Sequence, residues 1–225
     1  MMHIPWVAVF LSLKVACSAL CIDLVIGIPL SFLLARNKFY GKEIFDTILT
    51  LPMVMPPTVM GYYLLVALGH NSPLGNWLQF LGINLIFTWQ SAVIAAVFIT
   101  FPLVVNPSRV AFETINTRYE HVAQLSGISG IAIFFRIFLP LAWENILANA
   151  LLAFARALGE FGATLMVAGS IPGKTQTMST AIYEAVQEGN DYEANSLVIL
   201  LSLICIFVLI ITKYLSSRKT WARTE

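Results

Sequence analysis

Five stretches of this sequence, about 6–35, 44–68, 87–105, 138–168 and 196–214, are each long and apolar enough to cross a lipid bilayer. A spanning helix needs about 20 mostly apolar residues. Backbone surrounded by hydrocarbon must satisfy its own hydrogen bonds, so the expected fold class is an all-α polytopic membrane protein with about five transmembrane helices in one domain covering 1–225. Composition points the same way: 58% of residues are hydrophobic and 11% charged, where a soluble domain carries roughly 25% charged residues. A water-soluble enzyme and a disordered chain are disfavoured. A nucleic-acid partner is disfavoured too, because a net charge of +1 supplies no basic face.

Lys and Arg set the orientation. Arg36, Lys38 and Lys42 lie between the first two spans, Arg109, Arg118 and Arg136 between the third and fourth, and Lys213, Arg218, Lys219 and Arg223 at the end. The connection 69–86 has no Lys or Arg, and 169–195 has only Lys174 against Glu184, Glu188, Asp191 and Glu193. Five spans then place the N-terminus outside and the C-terminus in the cytoplasm. Splitting 138–168 at Gly159 or Gly162 would put the basic tail outside, so that segment is read as one helix. No cleavable leader is expected, since 1–6 lacks a basic start and Lys14 interrupts the first run.

Catalytic signatures are few. Ala168-Gly169-Ser170-Ile171-Pro172-Gly173-Lys174-Thr175 fits a loosened phosphate-loop pattern, but a membrane helix precedes it and Pro172 removes a backbone donor. It reads as an exposed Pro-Gly turn. His3, His70 and His121 are scattered, and Cys17, Cys21 and Cys205 sit in apolar runs without other ligands. No catalytic, cofactor or metal site is expected in the chain itself. Asp23 and Lys14, inside the first run, are read either as functional or as an interior contact and an interfacial snorkel. Trp6, Trp77, Trp89 and Trp143 fall near span ends and read as interface anchors.

Segment 106–137 is too polar to cross and too patterned to be a linker. Val110, Ile115, Tyr119, Val122, Ala123, Ser126 and Ile131 recur at near-helical spacing, which predicts an amphipathic cytoplasmic helix broken near Gly127 or Gly130. A short helix bounded by Gly suits docking into a groove on a partner. Outside, 173–195 is expected to hold a second short helix with Met178, Ala181, Ile182, Ala185 and Val186 on one face, lying in the interface or lining an outer gate.

Within the cytoplasmic segment, Glu120-His121-Val122-Ala123, Gly127 and Ile137-Phe138-Leu139-Pro140 resemble the EAA loop of ABC importer permeases. The spacings from Ala123 to Gly127 and from Gly127 to Ile137 match that loop. Glu120 stands one residue early, an offset common in permeases of the molybdate and sulfate type. The stretches Leu51 to Tyr62 and Ala153 to Thr164, with Ser72-Pro73-Leu74-Gly75 and Phe87-Thr88-Trp89, are similar to the molybdate, tungstate and sulfate group.

The resemblance implies the type I importer permease fold and translocation of molybdate across the cytoplasmic membrane. It also implies a homodimer of this chain, two cytosolic ABC ATPase subunits that bind ATP and magnesium, and an external molybdate-binding protein. Coupling to the ATPase falls on Glu120, His121, Ala123, Gly127, Ile137, Leu139 and Pro140. Tungstate, sulfate or thiosulfate import are alternatives, and an ATP-independent channel or secondary carrier is the alternative from another class.

Pathway candidates are Pro56, Pro57, Thr58, Arg156 and Glu160. The prolines of the second span remove backbone donors and mark a gate or a fixed kink. Arg156 and Glu160, spaced i,i+4, either neutralise each other or act on a dianion in transit. Gly159, Gly162 and Ala163 are small enough for a dimer seam or a hinge.

Overall fold

The computed structural model describes residues 5–37 and 39–221, with 216–221 described by backbone alone. His3, Lys38 and Arg223, and the side chains of Arg218 and Lys219, therefore lie outside it. The described chain is helical: α1 Trp6–Arg36, α2 Lys42–Val54, α3 Pro57–Leu68, α4 Pro73–Phe80, α5 Trp89–Glu113, α6 Arg118–Leu125, α7 Gly130–Ile133, a π-helical turn Phe134–Phe138, α8 Leu139–Leu158, α9 Gly162–Ala168, α10 Met178–Gln187 and α11 Asp191–Trp221. Four described helical segments are long and apolar enough to span a membrane, and the bent pair α2 and α3 makes a fifth when counted as one crossing.

The centre is α5, which contributes to all three buried clusters. Its Ala92, Ala95 and Ala96 are fully buried, and side chains this small let neighbouring backbones approach closely. Against it pack α1 and α8, with Asp23 of α1 accepting a hydrogen bond from Thr100 Oγ1 at 2.6 Å. Ser31 Oγ likewise reaches the Val105 carbonyl at 3.0 Å. Asp23 is thus an interior contact, while Lys14 sits 3.6 Å from the centroid of Trp89, so this tryptophan holds a cation rather than only anchoring an interface.

The break between α2 and α3 follows from the sequence. A residue preceding proline is pushed out of the helical region by the ring that follows. Met55 precedes Pro56 and Pro56 precedes Pro57; both adopt extended ψ values, 144° and 135°. Pro57 then opens α3, where its missing N–H is not needed. The two helices meet at a bend of 113°.

Several expectations need correction. Segment 138–168 is not one helix: α8 stops at Leu158 and α9 starts at Gly162. Glycine disfavours helix interiors by about 1 kcal/mol relative to alanine, and Gly159 and Gly162 flank a glutamate whose carboxylate accepts the Ala163 N–H at 3.1 Å. That bond caps the first turn of α9 and makes the interruption stable. Gly162 and Ala163 do not form a free seam for a second subunit. They pack on α3, where a Cβ on Gly162 would stand 3.1 Å from Pro57 Cβ, and one on Gly61 would stand 2.8 Å from Ala163 Cα.

The pattern from Val110 to Ser126 is not one helix either. Val110 belongs to α5, which continues to Glu113, and α6 starts afresh at Arg118. The short helix expected within 173–195 forms as α10, but Met178 and Ala181 are buried in the core and Val186 faces away. Its start is pinned to α1 by Met178 N–H donating to Ser12 Oγ at 2.7 Å. The phosphate-loop look-alike is a turn in which Lys174, Thr175 and Gln176 all donate to the Ile171 carbonyl, so its donors face inward on the chain and form no cradle.

Candidate functional site

Two regions collect the candidate residues. The first is the end of the helical bundle around α6. Asn116 Oδ1 accepts the Arg118 N–H at 2.9 Å as the chain enters the helix. Ala123 is its only buried residue. Tyr119, Val122 and Leu125 are exposed, the last at 89%. Exposed apolar side chains on a short helix are the kind of surface that can dock a partner.

Gly127 ends α6 with φ of +72°. Ile128 N–H bonds the Ala123 carbonyl and Gly127 N–H bonds the Gln124 carbonyl, each at 3.0 Å. These are the two bonds of a Schellman cap, whose left-handed residue is most easily glycine. Gly127 is therefore needed by the backbone itself. His121 is exposed on the same helix.

Below α6 the chain passes through α7 into the π-helical turn. Leu139 N–H bonds the Phe134 carbonyl, the wide i to i−5 pairing. Pro140 follows at once, and a proline ring crowds the carbonyl four residues earlier in a regular helix. The wide turn relieves that crowding. It also turns Phe134 and Phe138 into an aromatic cluster with Phe32 of α1 and Phe112 of α5, with ring centroids 5.0 to 6.1 Å apart. Ile137 is half-buried and lines, with Asn116, Tyr119, Val122, Ser126 and Ile128, an open groove of about 650 Å³ beside α6. Leu139 packs against the buried cluster.

Glu120 does not share the exposed face. Its carboxylate lies 3.8 Å from Arg36 Nε, with the two side chains 25% and 12% exposed. Arg36 Nη2 donates to the carbonyls of Phe112 and Ile115, each at 2.9 Å, and its guanidinium lies 4.3 Å from the Phe138 ring centroid. Sequence reading counted Arg36 only as a loop charge. An Arg in the last turn of an apolar helix is a weak local signal, and its partners lie too far along the chain for spacing to reveal them.

Arg109 was also missed as a structural residue. It contacts Asp46 of α2 at 2.6 Å and Glu113 at 2.8 Å, while Asn106 Nδ2 donates to Thr50 Oγ1 at 3.3 Å. These polar links hold α2, which has no buried residue, against α5.

The second region is the pair of breaks. Pro57 and Thr58 lie directly against Gly162, so the interruptions of the two spans are adjacent. Pro56 is the extended residue before them. Two residues before Gly162, Glu160 is buried at 3%, and Arg156 approaches it at 2.7 Å as an ion pair rather than an aligned hydrogen bond. Arg156 remains 37% exposed. The arrangement neutralises the buried carboxylate and leaves part of a guanidinium facing outward. Among the described residues no group of His, Cys, Asp and Glu could hold a metal ion.

Comparison with known proteins places this geometry. Residues 27–221 match the family described as binding-protein-dependent transport system inner membrane component. The sequence is 40% identical over 213 residues to the molybdenum transport system permease protein ModB of Haemophilus influenzae, covering 94% of this chain and 93% of the relative. It is 34% identical over 214 residues to the sulfate transport system permease protein CysW of Escherichia coli, covering 95% of this chain and 72% of that one. Its fold is similar to a chain of a bacterial alginate ABC transporter solved with an alginate-bound periplasmic protein, with TM-score 0.70, 18% identity, and coverage of 95% of this chain and 78% of the other. A chain of the inward-facing MetNI methionine ABC transporter gives TM-score 0.68 at 17% identity, covering 93% and 94%.

Proposed function

The chain belongs to the family of binding-protein-dependent transport system inner membrane components, and from that premise we propose that it is the permease subunit of an importer that moves molybdate across the cytoplasmic membrane. It is a multi-pass membrane subunit and not itself an enzyme. Two copies enclose the pathway, two cytosolic ATPase subunits bind ATP and magnesium, and an external protein delivers the oxyanion. The N-terminus lies outside and the C-terminus inside, as the distribution of Lys and Arg requires.

The observation that carries the substrate is the 40% identity, over nearly the full length of both chains, to a permease named for molybdenum, against 34% and partial coverage for one named for sulfate. Supporting the ATPase contact is the exposed face of Tyr119, Val122 and Leu125 on α6, with Gly127 fixing where that helix stops. Within the membrane, alternating access requires an element with two arrangements, and the adjacent breaks at Pro56–Thr58 and Gly159–Gly162 are the candidates for it. The exposed part of Arg156 offers a single weak cationic contact per subunit to a passing dianion, held in check by Glu160.

The test is uptake of labelled molybdate by vesicles containing this chain with its co-purifying partners. ATP-dependent uptake that excess sulfate fails to compete supports the whole proposal. Preference for sulfate keeps the importer and removes molybdate, and uptake driven by an ion gradient without ATP removes the importer.

A further inference from the structure

Glu120 is the carboxylate of the helix expected to meet the ATPase, yet it faces its own chain. Gln124 Nε2 donates to one of its oxygens at 3.3 Å, and the other is turned to Arg36. Beyond this pair, α6 places one residue, Ala123, in the buried cluster it shares with α5 and α8, while the cap at Gly127 closes the helix on itself. Arg36, in contrast, is fixed on three sides, by the carbonyls at the end of α5, by the Phe138 ring at the start of α8, and by its own position in the last turn of α1.

We propose that Arg36 is a positioning residue for transport, which joins the coupling helix α6 through Glu120 to α1, α5 and α8 so that a movement of α6 is felt by all three. The inference rests on the importer reading above. Its geometry is that of an unclosed latch. At 3.8 Å the pair attracts but is too long for a hydrogen bond. An inward displacement of α6 by about 1 Å closes it to a charge-assisted bond. The guanidinium does not have to move, because two carbonyls and a ring hold it. Docking falls to Tyr119, Val122 and Leu125, and transmission to Glu120 and Arg36.

The experiment uses the reconstituted complex of this chain with its ATPase subunits and external binding protein, and measures substrate taken up per ATP hydrolysed. Arg36→Lys keeps the charge but loses the planar guanidinium whose Nη2 bonds two carbonyls while Nε faces Glu120, Arg36→Met removes both, and Glu120→Gln removes the charge of its carboxylate. Each variant is expected to co-purify with the ATPase while uptake per ATP falls, by about tenfold for Arg36→Met, and the double variant Arg36→Met/Glu120→Gln is expected to be no worse than its worse single. Additive losses in the double variant, or uptake per ATP within about twofold of the unaltered complex for Arg36→Met, overturn the proposal.

If Glu120→Gln alone releases the ATPase while Arg36→Met does not, Glu120 is an intersubunit contact and the proposal is equally overturned. Should Arg36→Met fail to insert, Arg36→Lys carries the same test. An unaltered complex that shows no ATP-dependent uptake sinks the importer reading instead. Hydrogen exchange of the 118–125 amides in the permease alone then decides the anchoring: about tenfold faster exchange in Arg36→Lys supports it, and unchanged exchange refutes it.

Discussion

Replacing Gly61 by alanine puts a methyl carbon 2.8 Å from Ala163 Cα and from Met166 Cβ, and 3.1 Å from the Ala163 carbonyl oxygen. Carbon atoms pack best at about 3.5–4.0 Å. Two of the three atoms met belong to the backbone of α9, which cannot rotate aside as a side chain can. The helices α3 and α9 must therefore separate by about 0.7–1 Å at the site, and a gap of that size forfeits a quarter to a half of each neighbouring dispersion contact. Overpacking of this kind costs about 1–3 kcal/mol, which for a chain of this length lowers the thermal midpoint by roughly 3–10 °C.

The assay is thermal unfolding of the purified permease in detergent, alongside uptake in vesicles. Gly130→Ala is the control, because nothing lies within 4 Å of its Cβ position and its φ is ordinary. It is expected to leave stability unchanged or to raise it by up to about 1 kcal/mol, as alanine restricts the unfolded chain. An inserted Gly61→Ala permease with the midpoint and uptake of the unaltered protein would refute the reasoning that the two half-helices are locked together by backbone contact. So would a Gly130→Ala variant that loses as much.

Arg156→Met leaves the Glu160 carboxylate buried without its countercharge. The loss is expected near 1–3 kcal/mol in detergent unfolding, below that of a fully buried pair because Arg156 is more than a third exposed. Glu160→Gln keeps an acceptor for the Ala163 N–H, so its loss is expected to be smaller, and a larger one would assign the stabilisation to the charge rather than to the cap. Gly127→Ala meets no atom, yet must hold φ at +72°, so it is expected to fray the end of α6 at a cost of about 1–2 kcal/mol. Gly127→Asp adds a charge beside the docking face and is expected to abolish ATP-dependent uptake by an inserted chain; normal uptake speaks against the coupling role. The double variant Pro56→Ala/Pro57→Ala releases the steric cause of the bend, and α2, with no buried residue, is held to α5 by the links of Asp46 and Thr50 rather than by core packing. Spin labels at positions 44 and 68 are expected to move from about 20 Å apart towards the roughly 37 Å of a straight helix, and an unchanged distance would assign the bend to packing.

Much of the site's local structure could be read from single positions. Consecutive prolines force extended residues wherever they occur, which is why the interruption at Met55 and Pro56 was legible, and a glycine followed by an apolar residue after a short helix marks a Schellman end, as at Gly127 and Ile128. The interruption at Gly159 to Phe161 was not legible. Glycines within apolar runs serve equally as packing surfaces and as breaks. The deciding facts were Glu160 capping α9 and the fit of Gly61 against Ala163, a contact between residues about a hundred positions apart.

By itself the sequence determined the all-helical class, the number of apolar spans counting the bent pair as one, and a short helix ending near Gly127. Hydrophobic length, charge asymmetry and proline geometry act over a few residues and do not depend on the rest of the chain. Only the tertiary structure decided which charges are partners. Arg36, Arg109 and Glu120 read alike as polar residues of the connecting segments and Asp46 passed unremarked at the start of the second span, and folding alone sorts them into Arg109 tying α2 to α5 through Asp46 and Arg36 receiving Glu120 over an aromatic cluster. Electrostatic pairing depends on distance in space, and only packing of the apolar helices sets that distance.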